Sequence, residues 1–404
     1  MPGLNSFSLK RKRILSLSEW RIPLSDLDYD TGEEEAVLRV LRSKWLTMGA
    51  EVEAFEQEFA NLIGTKYAVA VASGTAALHL AYLALGIGLG DEVIQPAINF
   101  VASANMTLAV GAIPVFGDII SLEEPTIKPE DISRLITPKT KAVVVMHYGG
   151  YLSRMDEILD ICTKHSIPLV EDACHAVGSQ YRNSRLKPPH GKMAGNLGEI
   201  ACFSFFSNKN IAIGEGGMIT TNRVDLAQRI RLLRSHGMTT LTWDRHRGHS
   251  YSYDVVAQGF NYRLDEIHAA LGRMQLRKLQ KNNERRGQLV SAYRYGLSGF
   301  PGWIFPFADY CGDSSYHLAA LVAPDEERRS KLIRFLKKAK IQTSLHYPFL
   351  PQFEAFKWSQ CNGHLTRSLA YSQRALTLPL FPGMTISDVE GICAIIHEFV
   401  QAAN

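Results

Sequence analysis

Residue types able to do chemistry fall at three places in this 404-residue chain, each directly after a short apolar run. The first is Ser73-Gly74-Thr75, following Ala68–Val71. At a helix N-terminus the leading backbone N–H groups lack partners and the helix dipole is positive. A glycine permitting close approach and a threonine hydroxyl would there form an anion socket. The same tripeptide also serves as an ordinary cap and turn. The second place is Glu171-Asp172-Ala173-Cys174-His175, after Pro168-Leu169-Val170. Ligands of open α/β sheets gather at the carboxyl ends of strands, where Asp172 would sit, and a carboxylate there needs a cationic partner. His175 shares its face if a helical turn begins here; a capping Asp and a packed His would account for the pattern equally well. The third is Lys209, in Phe203-Ser204-Phe205-Phe206-Ser207-Asn208-Lys209-Asn210, ahead of Gly214-Glu215-Gly216-Gly217. A desolvated lysine amine loses its charge readily and becomes a nucleophile toward carbonyl groups, whereas a lysine on an open loop does neither.

Together these are the parts needed to hold pyridoxal phosphate: an anion site, a partner for the pyridinium nitrogen and an anchor for the aldehyde. A flat apolar side chain over the ring is also required. Phe100, just past Glu92–Gln95, is the candidate.

The elements that must position these residues alternate between helical periodicity and short β-rich runs, the pattern of a parallel sheet flanked by helices. Strands are expected at Ala68–Val71, Glu92–Gln95, Pro114–Phe116, Ala142–Met146, Pro168–Val170, Ile200–Phe205 and Met218–Thr221. They are short, largely apolar and mostly bounded by Gly, Pro, Asp or Ser, as strands buried on both faces are. Thr75–Leu85 reads as an amphipathic helix with one apolar stripe through Ala77, Leu78, Ala81, Tyr82 and Leu85. The pattern changes after Gly259, with one long or broken helix over 262–296. A strand at His317–Val322, a helix at Glu326–Ala339, a strand at Gln342–Leu345 and a closing helix at Thr385–Ala402 follow, the last with Thr385 and Asp388 as a capping box. The expected organisation is a basic tail over 1–20, a large α/β domain over 21–265, and a connecting helix with a smaller C-terminal α+β domain over 266–404.

Composition excludes several classes. Charged residues at 21% and hydrophobic residues at 46% exclude disorder and fibrous repeats. A net charge of +4 implies no nucleic-acid partner. The six cysteines include no CxxC pair, so they read as buried small hydrophobes in a reducing compartment, with no metal site expected. No apolar run is long enough to span a membrane, and the opening segment, basic at Lys10 to Arg13, lacks a secretory core. The expectation is a cytoplasmic protein with a solvated tail.

The motifs resemble those of the DegT/DnrJ/EryC1/StrS sugar aminotransferases of the type I pyridoxal-phosphate fold. The resemblance runs through Ile22-Pro23-Leu24-Ser25, Trp45-Leu46-Thr47-Met48-Gly49, Ser73-Gly74-Thr75-Ala76-Ala77-Leu78, Glu171-Asp172-Ala173, Asn208-Lys209-Asn210 and Gly214-Glu215-Gly216-Gly217. Gly259-Phe260-Asn261-Tyr262-Arg263 and Leu378-Pro379-Leu380-Phe381-Pro382-Gly383-Met384-Thr385 complete it. It implies that Lys209 carries the cofactor covalently and moves the substrate proton, and that Asp172 keeps the pyridine nitrogen protonated. It further implies that His175 bonds the phenolic oxygen, that Gly74, Thr75 and Ser204 hold the phosphate, and that Asn261 reaches the phosphate of a neighbouring subunit in a homodimer with shared sites. Lys209 favours transamination, since the dehydratase branch has His at that position. Asn99, where many members have Thr, and Met146-His147-Tyr148-Gly149-Gly150-Tyr151 depart from the pattern, and both are expected at the rim of the site.

The implied reaction passes an amino group from glutamate or glutamine to a ketosugar, most simply a nucleotide-linked one, by a ping-pong course alternating pyridoxal and pyridoxamine phosphate. A ketocyclitol is the alternative acceptor, and a non-catalytic cofactor-binding regulator is a further one. His346, Tyr347 and His249 are the expected substrate contacts, the last in a His- and Arg-rich loop suited to a diphosphate.

Overall fold

All seven anticipated apolar runs form strands of one sheet. The computed structural model describes residues 20–182, 192–240, 248, 252–357, 359 and 364–402. The sheet strands are β1 (Tyr67–Val71), β2 (Glu92–Pro96), β3 (Ile113–Gly117), β4 (Thr140–Met146), β5 (Leu169–Asp172), β8 (Ile200–Ser204) and β9 (Gly217–Thr221). A two-stranded ribbon, β6 (Gln180–Tyr181) and β7 (Lys192–Met193), lies between β5 and β8 in sequence. The sheet order is β1-β9-β8-β5-β4-β2-β3. Only β9 runs against its neighbours. The connection from Ser204 to Gly217 contains no helix, so the chain reverses beside β8 instead of crossing over to a parallel position. The six remaining strands share one direction, which brings Val71, Pro96, Met146, Asp172 and Ser204 to the same edge of the sheet.

Helices cover both faces. These are α1 (Thr31–Ser43), α2 (Ala50–Ile63), α3 (Gly74–Ala84), α4 (Ala102–Ala109), α5 (Pro129–Leu135), α6 (Met155–His165) and α7 (Val224–Arg234). The expected single stripe on α3 is corrected by the structure. Nearly every residue of α3 is buried, because α4 and α7 pack on the sides that the sheet leaves uncovered. α2 begins at Gly49, which has no side chain to cap it. The Glu266 carboxylate replaces the cap, accepting from the N–H groups of Gly49, Glu51 and Val52 at 2.8, 3.0 and 3.0 Å.

Glu266 opens α8 (Glu266–Gly296), an unbroken helix of 31 residues started by the Asp265 side chain accepting from the His268 N–H. Its first half packs on α1 and α2, and it also packs on α11 (Ile386–Ala402). The smaller unit has β10 (Ala319–Val322) antiparallel to β11 (Ala375–Leu378), with α9 (Glu326–Lys338) and α10 (Thr366–Arg374). Thr385 and Asp388 form the expected reciprocal cap, with N–H to side-chain oxygen distances of 2.8 and 3.0 Å. The expected strand at 342–345 is absent. Gln342 donates its N–H to Ile22 and Ser344 donates to Thr377, so the chain changes partner after two residues and builds no ladder. Residues 21 to 24 lie against this smaller unit, through an Ile22–Ile341 bridge and a bond from the Leu380 N–H to the Leu24 carbonyl. Among the described residues no helix is long and apolar enough to cross a membrane. Cys311 is exposed and Cys174 only partly buried, so the expectation of uniformly buried cysteines fails at both.

Candidate active site

A cavity of about 340 Å3 opens at the shared carboxyl edge of the sheet. It is lined by Gly74, Thr75, Phe100, Asp172, His175, Ser204 and Lys209 from the larger unit and by His346 and Tyr347 from the smaller one. Nine residues expected to act together, drawn from opposite ends of the chain, therefore face one space. Asn261 does not join them: it is exposed on this chain and its backbone bridges to Ser235. His249 lies outside the described residues, as does most of the loop that carries it.

The anion socket is built by close backbone approach. Ser73 caps α3 by accepting from the Ala76 N–H at 3.0 Å, leaving the first turn's N–H groups directed at the cavity. Gly74 sits against β8 so tightly that a Cβ would lie 2.8 Å from the Ser204 Cβ and 3.2 Å from the Cys174 Sγ. Gly217, opposite Ser204 in the β8–β9 register, is similarly required, since a Cβ there would meet the Ser73 carbonyl oxygen at 2.5 Å.

Asp172 ends β5 and is 4% exposed. One oxygen accepts from the Cys174 N–H at 3.3 Å and the other from the Asn99 side-chain amide at 3.4 Å. Asn99 is buried and bonded to the central carboxylate, and Met146 also lines the cavity, so the expectation that these departures lie at the rim is corrected. Met146 is the last residue of β4 and Asn99 lies three residues past the end of β2, so both sit at the carboxyl edge of the sheet that floors the cavity. Phe100 is 53% exposed, its ring centroid 6.0 Å from that of Tyr347, so a flat face is available to a ligand.

Lys209 lies in a turn closed by its own N–H bonding to the Phe206 carbonyl at 2.8 Å. Burial lowers its amine below the ordinary lysine range, with Cys174 and Asp172 pulling weakly the other way. A larger share of neutral, nucleophilic amine results. His175 has its Nδ1 3.3 Å from the Gly149 N–H, which can only donate, so the neutral ring carries its proton on Nε2. That proton goes to the Tyr347 hydroxyl at 2.7 Å, and the tyrosine hydrogen is free for a ligand. Burial, then the Lys209 charge, pushes His175 well below the usual histidine range, and burial keeps Tyr347 protonated. Cys174, Asn208 and Glu215 also line the cavity, and residue type alone does not single them out.

Residues 28–397 match the DegT/DnrJ/EryC1/StrS aminotransferase family. The chain belongs to this family. It is 37% identical over 388 residues to the spore coat polysaccharide biosynthesis protein SpsC of Bacillus subtilis, covering 92% of this chain and 96% of that one. Among solved structures it is similar to Helicobacter pylori PseC, an aminotransferase involved in the biosynthesis of pseudoaminic acid, at 28% identity and a TM-score of 0.86, covering 94% of this chain and 99% of that one. The PLP-form of the putative sugar aminotransferase Spr1654 from Streptococcus pneumoniae is similar at 27% identity and a TM-score of 0.86, covering 95% of this chain and 99% of that one. The enzyme is thus a pyridoxal-phosphate-dependent aminotransferase of the type I fold. Its cavity fits that cofactor: a helix N-terminus without side-chain obstruction at Gly74, a buried carboxylate, an exposed aromatic face and an amine with lowered proton affinity line a single space.

Proposed function

We propose that this aminotransferase moves an amino group from glutamate or glutamine to the ketone of a nucleotide-linked ketosugar. The observation carrying this reading is the meeting of Lys209, Asp172 and the α3 N-terminus in one cavity. Bound pyridoxal phosphate supplies an aldehyde and an electron-withdrawing ring. Gly74, Thr75 and Ser204 hold its phosphate, Phe100 covers the ring, and Asp172 keeps the ring nitrogen protonated. Both ring nitrogens of His175 are engaged, by the Gly149 N–H and the Tyr347 hydroxyl, so Tyr347 would donate to the ring's phenolic oxygen in place of His175, the partner expected from the sequence. Lys209 would anchor the aldehyde and, once the substrate nitrogen has taken its place and freed the amine, would take the proton from the donor's α-carbon and return one to the acceptor carbon. A neutral amine is needed for both duties, which its burial supports.

Because donor and acceptor would use the same cavity, the oxo acid would leave before the acceptor enters, a ping-pong course. Asn261, exposed on its own chain, contacts the phosphate held by a second copy, making the active form a homodimer. His346 contributes to the acceptor side of the cavity. The sugar assignment is supported by relatives whose names place them in polysaccharide and pseudoaminic acid biosynthesis.

The deciding experiment compares wild type with Lys209→Ala. Wild type should retain cofactor covalently after borohydride reduction and turn over; the variant should lose both. Turnover surviving in Lys209→Ala would reject the reading. Assays with glutamate and glutamine separately, against a nucleotide ketosugar and a ketocyclitol, then identify donor and acceptor; preference for the ketocyclitol would reject the sugar assignment.

A further inference from the structure

Beside the active-site cavity lies a second one of about 20 Å3, and Asn208 and His346 belong to the walls of both. Its remaining polar lining comes from Ser25, His317 and Thr377. Two buried side-chain atoms in this wall have no hydrogen-bond partner, the Asn208 Oδ1 and the His317 Nε2. The chemistry of both atoms follows from their neighbours. Asn210 donates its amide hydrogens to the Ser315 carbonyl and the Asn283 Oδ1, each at 2.7 Å. A carbonyl can only accept, so the Asn210 Oδ1 is the atom 2.9 Å from the His317 Nδ1, and His317 must donate there. The ring is neutral, since burial and the nearby charges of Lys209 and Arg286 disfavour its protonation. Its Nε2 is then a bare lone pair, 4% exposed residue and all. Two acceptors border one small cavity, and neither of its hydroxyls bonds them: the Thr377 Oγ1 is 2.8 Å from the His346 Nδ1, and Ser25 makes no bond to either acceptor.

We infer that this cavity holds one ordered water molecule, through which His317 fixes Asn208 as it already fixes Asn210, clamping both chain neighbours of Lys209. Water is the smallest species with two hydrogens to give, and a cavity of this size exceeds the roughly 10–15 Å3 that one water requires. An unsatisfied buried acceptor costs about 1–3 kcal/mol, so filling the site is favourable. His317 just precedes β10 in the smaller unit, so the clamp ties the placement of Lys209 to how the smaller unit seats on the larger. His317 is on this view a positioning residue. The inference rests on the reading of Lys209 as the reacting amine.

Two measurements test it. A crystal structure resolving ordered solvent should show one density peak within hydrogen-bond reach of both the Asn208 Oδ1 and the His317 Nε2; no such peak overturns the inference. The pH dependence of Lys209 acylation, followed by peptide mass spectrometry on the full cofactor-free chain, reports where its amine sits. In His317→Phe the midpoint should rise toward that of an ordinary lysine, with His317→Gln restoring part of the difference. If His317→Phe does not fold, Asn208→Leu, which occupies the water's place and leaves the His317–Asn210 bond intact, should raise the midpoint in the same direction. An unchanged midpoint in a folded variant overturns the clamp. Activity of Lys209→Ala is independent of both readouts: its survival would reject the proposed function, whereas its loss with no water and no shift would reject only the clamp.

Discussion

The Nε2 of His175 gives its hydrogen to the hydroxyl of Tyr347 across 2.7 Å, joining the larger unit to the smaller at the active-site wall. Asp172, Lys209 and the phosphate socket all come from the larger unit, so this bond is where the smaller unit enters the cofactor's surroundings. Tyr347→Phe keeps the ring and deletes both the acceptor for His175 and the hydrogen offered to the ligand. A hydrogen bond of this kind contributes about 0.5–1.5 kcal/mol, so cofactor affinity should fall up to roughly tenfold, with the fold intact. Titration of cofactor into the cofactor-free protein, followed by absorbance, measures it; affinity equal to wild type would show that the hydroxyl does not reach the ligand.

Gly74→Ala should damage the anion socket directly. The added Cβ would lie 2.8 Å from the Ser204 Cβ, forcing α3 and β8 apart where both meet the phosphate. Overpacking costs about 1–3 kcal/mol. The expected result is a lowered melting temperature together with a cofactor affinity at least tenfold weaker, and free inorganic phosphate should protect the variant less than wild type in thermal melts.

Glu171 holds the loop that precedes β8. Its carboxylate accepts from the N–H groups of Gly195, Leu197 and Gly198 at 2.8, 2.8 and 2.7 Å and lies 3.0 Å from the His147 Nε2, with both side chains fully buried. Burial alone would raise its proton affinity, but His147 and the backbone N–H groups outweigh that and hold the carboxyl below the ordinary glutamate range. Glu171→Ala leaves these donors unpaired and should destabilise by roughly 3–5 kcal/mol in urea unfolding. Because the folded state prefers the ionised form, the contribution is complete above the ordinary glutamate pKa. It is lost as pH falls through the depressed folded value, so the gap between wild type and variant should narrow in acid.

His346 predicts a second pH effect of its own. Burial, then the Lys209 charge, lowers it from 6.5 to about 4. Between these values the unfolded chain takes up a proton that the folded chain refuses, so stability is greatest above pH 6.5 and declines as pH falls toward 4. The decline amounts to roughly 3 kcal/mol for this group. His346→Gln should flatten that part of the stability curve as read by denaturant unfolding at a series of pH values; an unaltered slope would assign the acid sensitivity to other groups.

The parts of the site legible in the sequence share one property: each follows an apolar run ending in a turn. Parallel strands are buried on both faces and so stand out without periodicity, and their carboxyl ends point to Asp172, Ser204 and the Ser73 turn. Asn99 and Met146 were harder to place, because distance from a strand end in sequence says little about depth in a cavity. β11 escaped notice since Arg374 passes from helix to strand with no Gly or Pro between. The stripe on α3 misled for a related reason: a helix flanked by two others is buried on sides that its own sequence cannot identify.

What the sequence determined by itself was the inventory of the large sheet: which of its strands form, and that a lysine, a carboxylate and an anion socket would share one sheet edge. Local hydrophobicity and turn chemistry carry that information, and they act over a few residues. Tertiary structure alone decided the proton positions on His175 and His317, the bond from Asn99 to Asp172, and the hold of the smaller unit on the neighbours of Lys209. These depend on which donor or acceptor arrives from segments tens to more than a hundred residues away, and on burial that makes an unpaired group costly, neither of which short-range pattern contains.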